Sequence, residues 1–247
     1  MNVNNENLNW RIWNQHDPEE RTYLRAKGQL PEMESAKQLR QLLGSIDDRD
    51  SVLDVGCAAG HYLRSIRKLS AKCRYTGVDA TLKYIESALD IHKLDKNANF
   101  IREDIYSLKQ KADLVFCCNV LLHLPNLIRP LENLLYSFNK KLVIRTLLSE
   151  GTHLSQYLYS DDFDGNGNPT NFVFQNTYSY KYVERIIKNF NSKITITFQE
   201  DVFDPINIQQ EWVEWKNKQG FGTTSIIKNL QIAGNKVFRW GWIVCTK

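Results

Sequence analysis

The sequence predicts an α/β fold with a doubly wound sheet of seven strands. From Ser51 onward, short apolar strands alternate with helical patterns, which is the order expected of a parallel sheet covered by helices. The strands are near-continuous apolar runs, typical of strands buried on both faces. A glycine-containing turn follows the first strand directly and leads into a helix. These observations place ligand binding at the carboxyl edge of the sheet.

The elements follow in order along the chain. Apolar residues at three- and four-residue steps predict a helix over Met33–Leu43, which Gly44 ends. The predicted strands are Ser51–Val55, Arg74–Val78, Asn99–Arg102, Leu114–Cys118, Lys141–Arg145, Lys193–Gln199 and Val237–Cys245. Helices are predicted over His61–Leu69, Thr81–His92, Asn126–Phe138 and Tyr180–Phe190.

Two regions interrupt this alternation. The segment from Gly151 to Tyr178 is polar, which predicts a long loop. Residues 204–235 form a second insertion. We therefore predict a helical extension or lid over residues 1–45. A ligand-binding domain then covers 46–247, with insertions at about 148–178 and 204–235.

Composition excludes several classes of protein. The chain has 247 residues, 42% of them hydrophobic, so a folded core is expected. Its formal charge of +4 (32 basic minus 28 acidic residues) is far below that of a dedicated nucleic-acid binder. The longest apolar stretch, Leu114 to Leu124, is too short to span a bilayer, and the N-terminus lacks a signal-peptide pattern. Five cysteines without a CxxC pair indicate reduced thiols, so we expect a cytoplasmic protein.

The glycine turn carries the strongest functional signal. The run from Val52 to Gly60, VLDVGCAAG, joins a buried strand to a helix through small residues that let the backbone approach a ligand. The next strand ends in Asp79, and an acid at that position can bind both hydroxyls of a ribose. Ala58 and His61 occupy two of the glycine positions of a dinucleotide motif, which favours a nucleoside without a pyrophosphate.

This pattern resembles motif I of the class I S-adenosylmethionine-dependent methyltransferases, with Ala58 as a departure at the middle glycine. The resemblance covers about residues 50–146 and extends more faintly to the end. It implies a mostly parallel seven-stranded sheet whose last strand is inserted antiparallel beside the fifth, and S-adenosylmethionine as the cofactor. It also implies that Asp104 contacts the adenine amino group and Ile105 packs on the ring. The cofactor-binding residues implied are Asp54, Gly56, Cys57, Ala58, Gly60, Asp79, Ala80, Asp104, Ile105 and Asn119.

The absence of certain motifs narrows the range of possible methyl acceptors. Asn119 is followed by Val-Leu-Leu and not by the Pro-Pro-aromatic of enzymes that methylate base amines, and no cysteine follows a proline. The fifth strand ends in Arg145-Thr146 without an acidic pair, so we expect no metal. The expected acceptor is an oxygen or nitrogen of a small, possibly anionic metabolite, with no DNA or membrane partner and a monomeric or homodimeric chain. Two alternatives stay open: methylation of structured RNA, and a catalytically silent cofactor-binding regulator or scaffold.

Four further features have two interpretations each. His123 is the candidate general base, or a residue that orients its loop. Arg145 binds an anionic acceptor, or pairs with a local acid such as Glu150. The run from Asp162 to Gly167 begins like a calcium loop but has Val173 at the twelfth position, which favours a polar turn. Tryptophan pairs are as a rule core anchors, but the aromatic residues of the N-terminus stand in polar sequence, and we expect them to form a lid that closes over the cofactor: Trp10, Trp13 and Tyr23.

Overall fold

The computed structural model describes residues 19–158, 163–201, 224–227, 230–233 and 236–247. The strands are β1 Ser51–Val55, β2 Arg74–Asp79, β3 Ala98–Arg102, β4 Ala112–Cys118, β5 Phe138–Ser149, β6 Gln156–Leu158, β7 Phe172–Phe174, β8 Tyr178–Ser179, β9 Thr195–Glu200, β10 Thr224–Ile227, β11 Leu230–Ala233, β12 Lys236–Phe238 and β13 Trp240–Thr246. The helices are α1 Glu19–Ala26, α2 Glu34–Leu43, α3 Leu63–Arg67, α4 Leu82–Ile91, α5 Ile128–Ser137 and α6 Tyr180–Phe190.

The central sheet has the strand order β3-β2-β1-β4-β5-β13-β9. The strands β1 to β5 are parallel, whereas β13 lies antiparallel between β5 and β9. This confirms the predicted doubly wound sheet with its last strand inserted beside the fifth. The order reverses at β1 and β4, so the ends of these two strands form the crevice in which open α/β sheets bind ligands.

The core lies on both faces of the sheet, because alternate residues of each strand point to opposite faces. In β4, Leu114, Phe116 and Cys118 pack toward α2, α3 and α4, while Val115 and Cys117 pack toward α5 and α6. All five cysteines are buried and unpaired, as the sequence predicts.

The Gly151–Tyr178 segment differs from the prediction of a long loop. Strands β6 and β7 pair antiparallel within it, and β8 pairs with the end of β5. Strands of two or three residues are too short to produce a readable alternation, so the sequence pattern alone did not reveal them.

Two other elements differ from their predicted bounds by more than two residues. The predicted last strand Val237–Cys245 is divided between β12, in a small sheet with β10 and β11, and β13 in the central sheet. The fifth strand continues to Ser149, beyond its predicted end at Arg145. None of the described helices has both the length and the apolar character needed to cross a membrane.

Candidate active site

A cavity of about 320 Å³ opens at the carboxyl edge of the central sheet. Its floor comes from the ends of neighbouring strands: Val55 at the end of β1 and Gly56 after it, Asp79 at the end of β2 and Asn119 after β4. Its volume falls in the range of small-ligand sites in proteins. The topology therefore brings residues that are far apart in sequence into one concave site.

The glycine turn forms one wall of this cavity. The amides of Gly56 and Cys57 both donate to the carbonyl of Val78, at 2.8 and 3.0 Å, which ties the turn to β2. Gly56 has φ +79°, and a Cβ at this position would lie 2.2 Å from Cγ2 of Val120. A side chain is therefore excluded at Gly56 by both conformation and space.

Ala58, the departure from the glycine pattern, adopts φ +46° and lines the cavity. A left-handed conformation costs an L-residue roughly 1–2 kcal/mol. The turn keeps the glycine-like backbone at this position although the side chain is a methyl group, so the substitution does not alter the course of the chain.

The carboxylate of Asp79 organises the turn from the next strand. It accepts hydrogen bonds from the amides of Ala58 at 3.0 Å and Thr81 at 2.9 Å. Burial raises the pKa of Asp79, while these amides act in the opposite direction. Because a carboxylate offers about four lone-pair positions, the two oxygens can still accept from a pair of ligand hydroxyls.

The segment after β3 forms the opposite wall. Asp104 accepts from the amide of Tyr106 at 2.9 Å and so begins a short 3₁₀ turn that buries Ile105. Both residues line the cavity together with Glu103. An acidic and an apolar side chain therefore face the space next to Asp79.

The tip of β4 lies across the cavity from these acids. Asn119 has φ +63°, a left-handed conformation that asparagine adopts more readily than most residues, and its amide donates to the carbonyl of Arg145 at 3.0 Å. A 3₁₀ turn, Leu121–His123, follows and brings His123 into the cavity wall.

A hydrogen bond to β7 also fixes the ring of His123. Its Nδ1 lies 2.8 Å from the carbonyl oxygen of Phe174 in β7. Because a carbonyl can only accept, Nδ1 carries the proton of the neutral ring and the lone pair is on Nε2. Both sequence interpretations of His123, the loop-orienting residue and the base, are compatible with this arrangement.

Comparison with known proteins agrees with this geometry. A family model described as a methyltransferase domain matches residues 46–166. Residues 46–166 are thus a methyltransferase domain, and the protein is an S-adenosylmethionine-dependent methyltransferase. No curated protein matches its sequence.

Solved structures share the fold at low sequence identity. An S-adenosylmethionine-dependent methyltransferase from Mesorhizobium loti has a TM-score of 0.56 at 12% identity, covering 87% of this chain and 98% of that one. Coclaurine N-methyltransferase, bound to N-methylheliamine and SAH, has a TM-score of 0.57 at 14% identity, with 87% and 70% covered. The [4+2]-cyclase SpnF has a TM-score of 0.55 at 13% identity, with 86% and 80% covered.

Within this methyltransferase, three of the predicted cofactor residues lie behind the cavity wall. Asp54 is buried and accepts from the Tyr75 hydroxyl at 2.5 Å. Cys57 and Gly60 complete the turn, and a Cβ at Gly60 would lie 2.7 Å from Phe100. The other seven face the cavity: Gly56, Ala58, Asp79, Ala80, Asp104, Ile105 and Asn119.

Arg145 does not line the cavity, contrary to its predicted position on the pocket side. The strand continues to Ser149, so Arg145 lies within β5 and points to the sheet face that carries Val143 and Trp242. It is buried and pairs with Asp201, not with Glu150, and its Nη1 donates to Oδ1 of Asn119 at 2.5 Å.

The predicted lid is only partly described. Trp10 and Trp13 lie outside the described residues. Tyr23 is in α1, where the ammonium of Lys27 lies 4.2 Å from its ring centroid. The same helix supplies Thr22 and Arg25 to the cavity wall, two residues that the sequence pattern did not single out.

The run that begins like a calcium loop forms a turn in its described part. The carboxylate of Asp164 accepts from the amides of Asn166 at 2.8 Å and Asn168 at 2.9 Å. Asp162 lies outside the described residues. These bonds are typical of an Asx turn.

The buried carboxyl of Asp54 leads to a pH-dependence prediction. Burial raises its pKa to about 8 although the Tyr75 hydroxyl opposes this. The folded state therefore holds a proton that the unfolded chain releases above about pH 4, so stability falls as pH rises between about 4 and 8. The slope is at most about 1.4 kcal/mol per pH unit.

We expect the Asp54→Asn variant to remove this slope, so that it gains stability over the wild type as pH rises. Urea denaturation at a series of pH values measures the difference. Asp90→Asn, at an exposed helix position, is the matched control and leaves the slope unchanged. Parallel pH profiles for the wild type and Asp54→Asn contradict the prediction.

Proposed function

We propose that this methyltransferase transfers a methyl group to an oxygen or nitrogen of a small metabolite, without a metal ion. The observation that supports this is that two pairs of residues line one cavity. Asp79 and Asp104 lie in one part of it, and Asn119 and His123 lie in another. The first pair suits a nucleoside. The second lies at the tip of β4, the strand that, by resemblance to the family, would face the transferred methyl group. The described residues contain no group of three or more potential metal ligands.

The residues of the cavity fit S-adenosylmethionine. Asp79 keeps acceptor positions for ribose hydroxyls, Asp104 and Ile105 suit the adenine edge and face, and Gly56 leaves the backbone uncovered where a Cβ would collide with Val120. When bound, the cofactor supplies a methyl group already activated on a sulfonium sulfur. The protein has to align two atoms and exclude water, which can contribute about 7–11 kcal/mol.

Hydrogen bonds from a neighbouring segment fix the 3₁₀ turn that follows β4. The amide of Asn176 donates to the carbonyl of Leu122, its Nδ2 donates to that of Leu124, and the Tyr178 hydroxyl donates to that of Leu121. The 148–178 insertion therefore supports the 3₁₀ turn that carries His123. With Nδ1 engaged by Phe174, the Nε2 lone pair of His123 suits acceptance of a proton from a weakly acidic acceptor.

A silent cofactor-binding protein is the second candidate function. It is favoured by the hydrogen bond from His123 to Phe174, which gives the ring a purely structural use. The fold itself does not decide, since the similar structure of SpnF is described as a [4+2]-cyclase.

A labelling experiment tests the proposal. The protein, treated with EDTA, is incubated with S-adenosylmethionine carrying an isotopic methyl group and with a cell extract divided into small-molecule and RNA fractions. We expect the label in a small molecule, with transfer unaffected by the chelator and abolished in Asp79→Ala. Label found only in RNA, activity that requires added magnesium or calcium, or binding without transfer each contradicts the proposal.

A further inference from the structure

Charged side chains are unevenly distributed around the cofactor cavity. Its acids lie at or just beyond the ends of β2 and β3: Asp79, Glu103 and Asp104. Among the described residues that line the cavity, Arg25 of α1 is the only lysine or arginine. The cofactor itself carries a carboxylate on its amino-acid portion. Because like charges repel, this carboxylate is expected to lie away from the three acids and close to the cation.

The guanidinium of Arg25 lies beside the residue that follows the glycine turn. Burial, and then the positive charge of Arg25, lower the pKa of His61 to about 3, so the charge of Arg25 reaches this ring and the ring itself is neutral. Both residues line the cavity. Helix α1 packs against α4, the helix that follows Asp79 along the chain. This packing brings Arg25 to the cavity from outside the central sheet.

Arg25 has no acidic partner in the described part of the chain. Its Nε is buried without a hydrogen-bond partner, and no carboxylate contributes to its pKa. Burial, and then the charge of Arg21, lower the pKa of Arg25 to about 10, whereas Tyr62 acts in the opposite direction. The guanidinium therefore keeps its proton at neutral pH. Burying a charge without a partner is costly, so an anionic group of a ligand would be stabilised beside it.

The glycine turn leads from the ribose side of the cavity to Arg25. It starts next to Asp79, whose carboxylate accepts from the amide of Ala58 at 3.0 Å, and it is followed by His61. In the cofactor, the sulfur joins the ribose to the amino-acid portion. With the ribose at Asp79 and the adenine at Asp104, an amino-acid portion that follows the turn brings its carboxylate toward Arg25.

We propose that Arg25 binds the carboxylate of the cofactor and so anchors the amino-acid portion at the end of the glycine turn. A guanidinium can donate two parallel hydrogen bonds to a carboxylate, which fixes its orientation as well as its position. Arg25 lies outside residues 46–166, the part of the chain that matches the methyltransferase domain. Helix α1 thus adds a contact that the matched domain does not supply, and the bound cofactor ties this helix to the cavity.

Titration calorimetry on the full chain, with two ligands that differ by one group, tests this role. The ligands are S-adenosylhomocysteine and its decarboxylated analogue, which keeps the nucleoside, the sulfur and the amino group. We expect the wild type to bind S-adenosylhomocysteine at least about tenfold more tightly than the analogue. Arg25→Gln should weaken binding of S-adenosylhomocysteine at least about tenfold without weakening binding of the analogue. Arg25→Lys should lie between the wild type and Arg25→Gln, because an ammonium lacks the paired donors.

Arg64→Gln is the matched control, since Arg64 is an exposed arginine of α3 that does not line the cofactor cavity, and it should change neither affinity. Three outcomes overturn the proposal: unchanged affinity of Arg25→Gln for S-adenosylhomocysteine, equal weakening of both ligands in Arg25→Gln, and equal affinity of the wild type for both ligands. Retained binding of the analogue also shows that the variant is folded. Because calorimetry needs no methyl acceptor, its outcome does not depend on which acceptor the protein uses or on whether transfer occurs.

Discussion

Replacing Asp79 by alanine is expected to lower the affinity for S-adenosylhomocysteine by at least about 100-fold. The carboxylate lies at the end of β2 and faces the cavity, where each of two hydrogen bonds from ribose hydroxyls to a charged acceptor contributes about 1.5–3 kcal/mol. It also holds the amides of Ala58 and Thr81, so its removal leaves the glycine turn without its anchor on the β2 side. Calorimetry on the folded variant measures the loss.

Asp79→Asn separates the two contributions. The carboxamide has the shape of the carboxylate but replaces one acceptor oxygen with a donor, so it can still accept from one of the two amides. We expect an affinity between those of the wild type and Asp79→Ala. Asp90→Ala, an exposed acid of α4, is the control and should bind like the wild type. Undiminished affinity in Asp79→Ala would remove Asp79 from the cofactor site.

The sheet could be predicted from the sequence because its strands are buried on both faces. A run such as Leu114–Cys118 has few alternatives when helices cover it on both sides. The position of the site followed from the same reasoning, since Gly56 and Asp79 each follow a strand of this kind and parallel strands end at one edge. Seven of the ten predicted cofactor residues therefore face one cavity.

Contacts between distant segments could not be predicted in this way. Asp201 lies 56 residues from Arg145, at the end of a strand that no local pattern links to β5. Arg25 belongs to a short helix whose polar sequence gives no indication that it reaches the cavity. Both depend on how elements pack, which a periodicity of two or 3.6 residues does not encode.

The buried pair of Arg145 and Asp201 gives the largest expected effect on stability. Nε and Nη2 of Arg145 both lie 2.5 Å from Oδ2 of Asp201, with 6% and 1% of the two side chains exposed. The guanidinium carbon lies 4.1 Å from the ring centroid of Trp240, and Asp201 also accepts from Gln38 of α2 at 2.7 Å. Removing one partner of such a pair leaves a buried charge and costs about 3–5 kcal/mol.

We therefore expect Arg145→Met to lose about 3–5 kcal/mol in urea denaturation. Asp201→Asn should lose less, because the carboxamide oxygen can still accept from Arg145, although the carboxamide NH2 then replaces the oxygen that accepts from Gln38. The double variant Arg145→Met/Asp201→Leu should lose less than the sum of Arg145→Met and Asp201→Leu, since no unpaired charge remains. Lys93→Met, which breaks the exposed pair with Asp90, is the control and should change stability by less than about 0.5 kcal/mol.

Turnover measurements on Arg145 variants distinguish two roles of this residue. Arg145 can position Asn119, or it can bind an anionic acceptor directly. Arg145 donates to Asn119, whose amide in turn donates to the carbonyl of Arg145, so the arginine fixes the left-handed residue at the tip of β4. If Arg145 acts through Asn119, its replacement should lower kcat and leave the KM of the acceptor nearly unchanged. A raised acceptor KM with unchanged stability would instead show that the guanidinium leaves Asp201 to bind the acceptor. The burial of both partners of the ion pair argues against that exchange, because Asp201 would then keep its charge in the core with Gln38 alone.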